Sequence, residues 1–65
     1  MKIGDRVKFT AESILWLSYK DLWPDSVGVV ERELPAKGAP GACVDVRFAG
    51  GTLVPNEPKM HFMPA

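Results

Sequence analysis

The sequence predicts a mainly β protein: a small barrel of about five short strands, with one helical or irregular insertion after the first strand. Residues 4–9, 27–33 and 44–48 carry that prediction. In the first, Val7 and Phe9 alternate with Arg6, Lys8 and Thr10; in the last, Val44, Val46 and Phe48 alternate with Cys43, Asp45 and Arg47. A period of two residues belongs to a strand with one buried face. The middle segment is rich in β-branched residues, with Val27, Val29 and Val30 in one run, and turn-forming residues separate the three.

Taken in order, the first strand ends where a different pattern begins. Thr10 is a candidate helix N-cap, with Glu12 placed in the first turn, where a carboxylate suits the helix dipole. Leu15, Tyr19 and Leu22 fall on one helical stripe, and Trp16, Tyr19 and Trp23 on an overlapping one, until Pro24 stops the pattern. A helix of two to three turns is marginal alone, so packing must hold residues 11–24, whether as helix or as loop. The strand expected over 27–34 has mixed parity, which a bulge or bend near Val29 and Val30 reconciles. Residues 35–41 hold two prolines and two glycines and read as a loop. Gly50 and Gly51 supply a tight turn after the strand over 42–48, and Thr52, Leu53 and Val54 return as a short strand. Residues 55–58 predict a further turn, and Met60, Phe62 and Met63 a closing strand.

Composition narrows the function. At 65 residues the chain is expected to form one domain over residues 1–65, with a core small enough that self-association or a partner is the expected source of extra burial. Cys43 is the single cysteine, so an intrachain disulfide is excluded, and with His61 it makes two soft ligands where structural zinc takes four. Eight basic and eight acidic side chains cancel, whereas a nucleic-acid binder draws its affinity from a basic excess. No apolar run approaches the roughly 20 residues of a membrane span, and the opening residues lack the layout of a signal peptide. A free thiol without an export signal suits the cytoplasm.

Candidate chemistry is sparse. His61, between Met60 and Phe62, has no nucleophile or orienting carboxylate near it in sequence and reads as a surface residue of a strand. Cys43 alternates away from Val44 and Val46, which predicts partial exposure; Arg47 lies on the same face about 13 Å along the strand, too far to activate a thiolate. Arg6, Lys8, Arg32, Lys37 and Arg47 interleave with Glu31, Glu33 and Asp45, as on a solvated sheet face with cross-strand pairs. No phosphate-binding loop, carboxylate pair or metal-ligand spacing is present, so no catalytic residue, metal or cofactor is expected. Trp16, Tyr19 and Trp23 stand out as three large aromatics within eight residues. They either plug an open end of the barrel or form a contact face, with Trp16 inward and Trp23 outward as a combination of the two. As a base-stacking platform they are disfavoured, because neighbouring Glu12, Lys20, Asp21 and Asp25 carry a net charge of minus two.

Glu12, Ser13, Trp16, Asp25, Val27, Gly28, Val30 and residues 44–48 resemble, in order, the SH3-like barrel family of photosystem I. That family sits in a group of electron transport accessory barrels with the ferredoxin–thioredoxin reductase variable chain and a domain of the nitrile hydratase β chain. The resemblance covers roughly two-thirds of the chain. It implies a five-stranded SH3-like barrel without a cofactor, serving as a docking surface on a larger assembly. Residues 17–23 look like an insertion relative to that family, and residues 53–65 match none of its pattern. Residues 4–7 and 28–30 also resemble KOW-type domains, which bind RNA or ribosomal and transcription proteins. The same opening resembles type II dihydrofolate reductase, an oligomeric small-barrel enzyme. Its active-site Val-Gln-Ile-Tyr strand has no counterpart here, the nearest segment being Gly51, Thr52, Leu53, Val54 and Pro55. The expected function is therefore a non-catalytic protein-binding or accessory module, self-association included, contacting through Trp16, Tyr19 and Trp23. A nucleic-acid-associated KOW-type barrel is the alternative, and an oligomeric enzyme the third.

Overall fold

In the computed structural model, which describes residues 1–36 and 39–65, five strands join in one antiparallel sheet. They are β1 (Arg6–Phe9), β2 (Val27–Ala36), β3 (Ala39–Phe48), β4 (Leu53–Pro58) and β5 (Phe62–Pro64), arranged β4-β3-β2-β1-β5. The predicted mainly β, five-stranded class holds. The only helical elements among the described residues are 3₁₀ turns at Leu15–Ser18 and Lys59–His61.

The sheet is rolled. Laid flat, its outermost strands would lie roughly 19 Å apart. Instead Val54 of β4 and Phe62 of β5 belong to one core with Val7, Phe9, Val30, Val44, Val46 and Phe48. Phe9 sits at its centre, stacked on Phe48 (centroids 5.1 Å apart, planes 12° apart) and tilted against Phe62 at 5.4 Å. Alternation along β1 and β3 sends these side chains inward and leaves Arg6, Lys8 and Arg47 outside, as the two-residue period predicts.

Gly28 makes room for this packing. It pairs with Val7 on one side and Phe48 on the other, so its missing side chain would point into the core. A Cβ there would lie 2.5 Å from Val46 Cγ1 and 3.1 Å from the Phe48 ring. Turn chemistry does the rest. Gly4 (φ 94°) closes the turn in which Asp5 N–H donates to the Lys2 carbonyl, and the Gly4 N–H then ties that turn to the Val30 carbonyl at 2.8 Å. Gly50 and Gly51 adopt the positive φ expected between β3 and β4.

Irregularities in register aim the strands. Val30 pairs with Val46 but Arg32 with Asp45, so Glu31 is an extra residue in β2. The expected bulge near Val29 and Val30 thus lies one residue further on, and it lets Val30 face inward while Val29 stays exposed. A second bulge in β4, between Val54 and Glu57, places Asn56 at φ 51°. Buried Asp45 holds that bulge by accepting the Asn56 N–H on Oδ1 at 2.7 Å, while Oδ2 faces Arg32 Nε at 3.6 Å.

Several expectations are corrected. Residues 11–24 form no helix of two to three turns, only a single 3₁₀ turn, because the segment must return Leu22 to the core within a few residues. The loop expected over 35–41 is shorter. β2 runs through Pro35 to Ala36 and β3 starts at Ala39; Pro35 sits at a register irregularity, where no ladder N–H is needed. Lys37 and Gly38 lie outside the described residues. Residues 55–58 belong to β4, and the turn follows at Lys59–His61, which leaves Met60 exposed and Phe62 alone pointing inward. Cys43 is buried rather than partly exposed, because β3 is an interior strand and ladder partners Leu34 and Pro58 flank the thiol on the outer face.

Gly28→Ala is expected to lower stability by about 1–3 kcal/mol through overpacking against Val46 and Phe48, read as a lower urea midpoint at unchanged slope. Asp45→Ala, which strands the Asn56 N–H, is expected to cost about 1–3 kcal/mol in the same measurement, with Asp45→Asn retaining part of it.

Candidate functional site

The excursion between β1 and β2 is short on regular structure and rich in hydrogen bonds. The Thr10 carbonyl accepts the Ser13 N–H at 3.0 Å. Ser13, buried, accepts the Leu15 N–H on Oγ at 3.3 Å and the Trp16 indole N–H on its carbonyl at 3.1 Å. The 3₁₀ turn follows, with Leu17 N–H donating to Ile14 and Tyr19 N–H to Trp16. Pro24 then occupies the second position of a turn, which its fixed φ favours. There the Ser26 N–H donates to the Trp23 carbonyl, and Ser26 Oγ accepts the Trp23 N–H at 2.9 Å. The Thr52 hydroxyl donates to the Asp21 carboxylate and ties the excursion to the turn before β4.

Three residues per turn place side chains i and i+3 on the same side of a 3₁₀ turn. Trp16 and Tyr19 form one such pair, half-buried and packed with Leu15 against the core. Ile14 and Leu17 form the other, 71% and 63% exposed. Leu22 enters the core, and Trp23 beside it is 63% exposed. Of the three aromatics singled out from the sequence, Trp16 and Tyr19 therefore lean on the barrel and Trp23 faces solvent. The structure adds Ile14, Leu17 and Met60 to the exposed apolar residues, which a search for aromatics passes over.

An open groove of about 410 Å³ separates the excursion from the turn before β5, lined by Thr10, Glu12, Ser13, Ile14, Leu15, Met60 and His61. His61 and Ser13 meet here, far apart in sequence, yet no hydrogen bond joins His61 to Ser13 or Glu12 among the described residues. The Ser13 hydroxyl already accepts the Leu15 N–H, so the nucleophile-to-base link of a catalytic pair is missing. No group of three His, Cys, Asp or Glu residues suited to a metal occurs among the described residues. No helix among them is long and apolar enough to cross a membrane.

On the outer sheet face, ladder pairing sets Arg6, Val29 and Arg47 in one row. Arg47 donates to both Glu31 oxygens at 2.9 and 3.3 Å and to the Gly51 carbonyl at 2.8 Å, bonds that hold its guanidinium still more firmly protonated. Arg32 faces Asp45. Cross-strand pairing thus absorbs much of the positive charge a phosphate backbone would seek; Lys37 lies outside the described residues. The sheet edges are blunt as well. On β5 the two positions facing away from β1 are Phe62, whose N–H donates to Lys59, and Pro64, which has none. β4 carries Pro55, Pro58 and a bulge. Contact through side chains is open to this fold, and strand addition is hindered.

Comparison with known proteins returns no match among family models, curated proteins or solved structures.

Burial, and then the Glu57 carboxylate, raise the Tyr19 phenol above its ordinary value of 10.0. The folded state holds this proton more tightly than the unfolded chain, so the associated stability is present below pH 10 and lost as pH rises through the folded value. Tyr19 is the single tyrosine, so its phenolate absorbance reads it alone. The expected titration midpoint lies above that of the urea-unfolded chain, and Glu57→Gln moves it back toward the unfolded value.

Proposed function

We propose that the chain is an SH3-like barrel that acts as a non-catalytic protein-binding module, with the excursion over residues 11–24 as its contact surface. One observation carries the reading: within a single short segment Ile14, Leu17 and Trp23 are exposed while hydrogen bonds at Ser13, Asp21 and Ser26 hold the backbone in place. Large apolar side chains on an ordered support lose little entropy on binding, and Trp is over-represented among residues that dominate interfaces. Trp16 and Tyr19 anchor that support from beneath. The rolled five-stranded sheet and the 3₁₀ turn before its last strand support the SH3-like assignment. Blunt edges and paired surface cations favour a protein partner met by side chains over nucleic acid.

The test is capture by the immobilised chain from nuclease-treated lysate of the source organism, read by mass spectrometry. One protein retained in near-stoichiometric amount is the expected result. Trp23→Ala is expected to weaken its retention by about 30-fold, as for an interface hot spot, while stability to urea stays within about 0.5 kcal/mol of wild type. Equal capture by Trp23→Ala moves the contact surface elsewhere. Retention of nucleic acid alone, in an untreated control, replaces this reading with the KOW-type one.

A further inference from the structure

The exposed face of the 3₁₀ turn has a second side. Ile14, eclipsed with Leu17, shares its groove with Met60 from the turn before β5, and Ile14, Leu17 and Met60 are 71%, 63% and 75% exposed. Opposite charges flank this apolar centre. Glu12 lines the groove on the side of the excursion, and Lys59 precedes Met60 on the other. Both are exposed, and neither is in an ion pair among the described residues. A patch with an apolar middle, an acid at one margin and a base at the other is complementary to itself after a half-turn, because each acid then meets the partner's base.

Resting on the protein-binding reading above, we infer that this face takes a second copy of the chain. The contact is a two-fold dimer centred on Ile14, Leu17 and Met60, with Glu12 of each copy opposite Lys59 of the other. Zero net charge leaves no long-range repulsion between copies. Burying exposed apolar surface is also the remedy a core this small most needs. Magnitude sets the strength. A standard interface covers about 800 Å² per partner, close to a fifth of the 4330 Å² this chain exposes. Three side chains and a rim fall short of that, which places half-association at roughly 10–1000 μM.

Sedimentation of the intact chain from about 10 μM to 1 mM at low salt decides the matter across that range. The expected result is a mass rising from 7.1 kDa toward twice that value, with Leu17→Glu fixed at the lower one. Glu12→Lys and Lys59→Glu are each expected to weaken association about tenfold or more, and the double exchange to restore it. These residues are exposed, so unchanged urea midpoints verify that the variants fold. A wild-type chain still monomeric at the highest concentration overturns the proposal. So does a dimer indifferent to Leu17→Glu and to the charge exchanges. A monomeric chain that captures a foreign protein and loses it in Leu17→Glu overturns the self-contact and leaves the protein-binding function standing.

Discussion

Everything in this molecule depends on rolling five short strands tightly enough that one aromatic cluster fills the interior. Phe9, Phe48 and Phe62 come from three different strands, with Phe9 lying 5.1 Å from Phe48 and 5.4 Å from Phe62. That closeness is possible because β2 offers no side chain where Phe48 lies, at Gly28. The bulges at Glu31 and in β4 then bend the long β2–β3 hairpin so that the sheet's outermost strands share one core. A chain of this size has no reserve of buried surface to offset a poor fit.

The excursion follows from the same shortage. Strand residues alone leave the barrel under-filled, so Leu22 is drawn inward and Leu15, Trp16 and Tyr19 are laid over the core. A 3₁₀ turn has only three residues per repeat, so a face that packs inward is always adjacent to one that cannot. Ile14 and Leu17 occupy that second face. Structural need and binding surface are thus two sides of one turn, held in place by Ser13 beneath it and by the bond from Thr52 to Asp21 at its far end.

Outside, the sheet is arranged to avoid unwanted pairing. Prolines and a bulge dull β4, and Pro64 with the engaged Phe62 N–H closes β5. Arg47 with Glu31, and Arg32 with Asp45, satisfy charge within the face. What stays open to a partner is apolar and lies at the end of the barrel where the excursion meets the 3₁₀ turn before β5.

Local pattern determined a good deal. Two-residue alternation named the inward side chains of β1 and β3, because a pleated strand has no other way to bury Val7, Phe9, Val44, Val46 and Phe48 together. Gly50 and Gly51 announced their turn through backbone freedom alone. The inward stripe of Leu15, Tyr19 and Leu22 was also legible, although it came from a helical period and the segment is not a helix; hydrophobic spacing reports which side chains are buried more reliably than the backbone that buries them. Tertiary structure decided the rest. Cys43 is buried only because strands flank it on both sides, Met60 is exposed only because a 3₁₀ turn resets the phase before β5, and Ile14 meets Met60 across a groove from the far end of the chain. Each depends on which residues distant in sequence come to lie side by side, and periodicity within a segment holds no information about that.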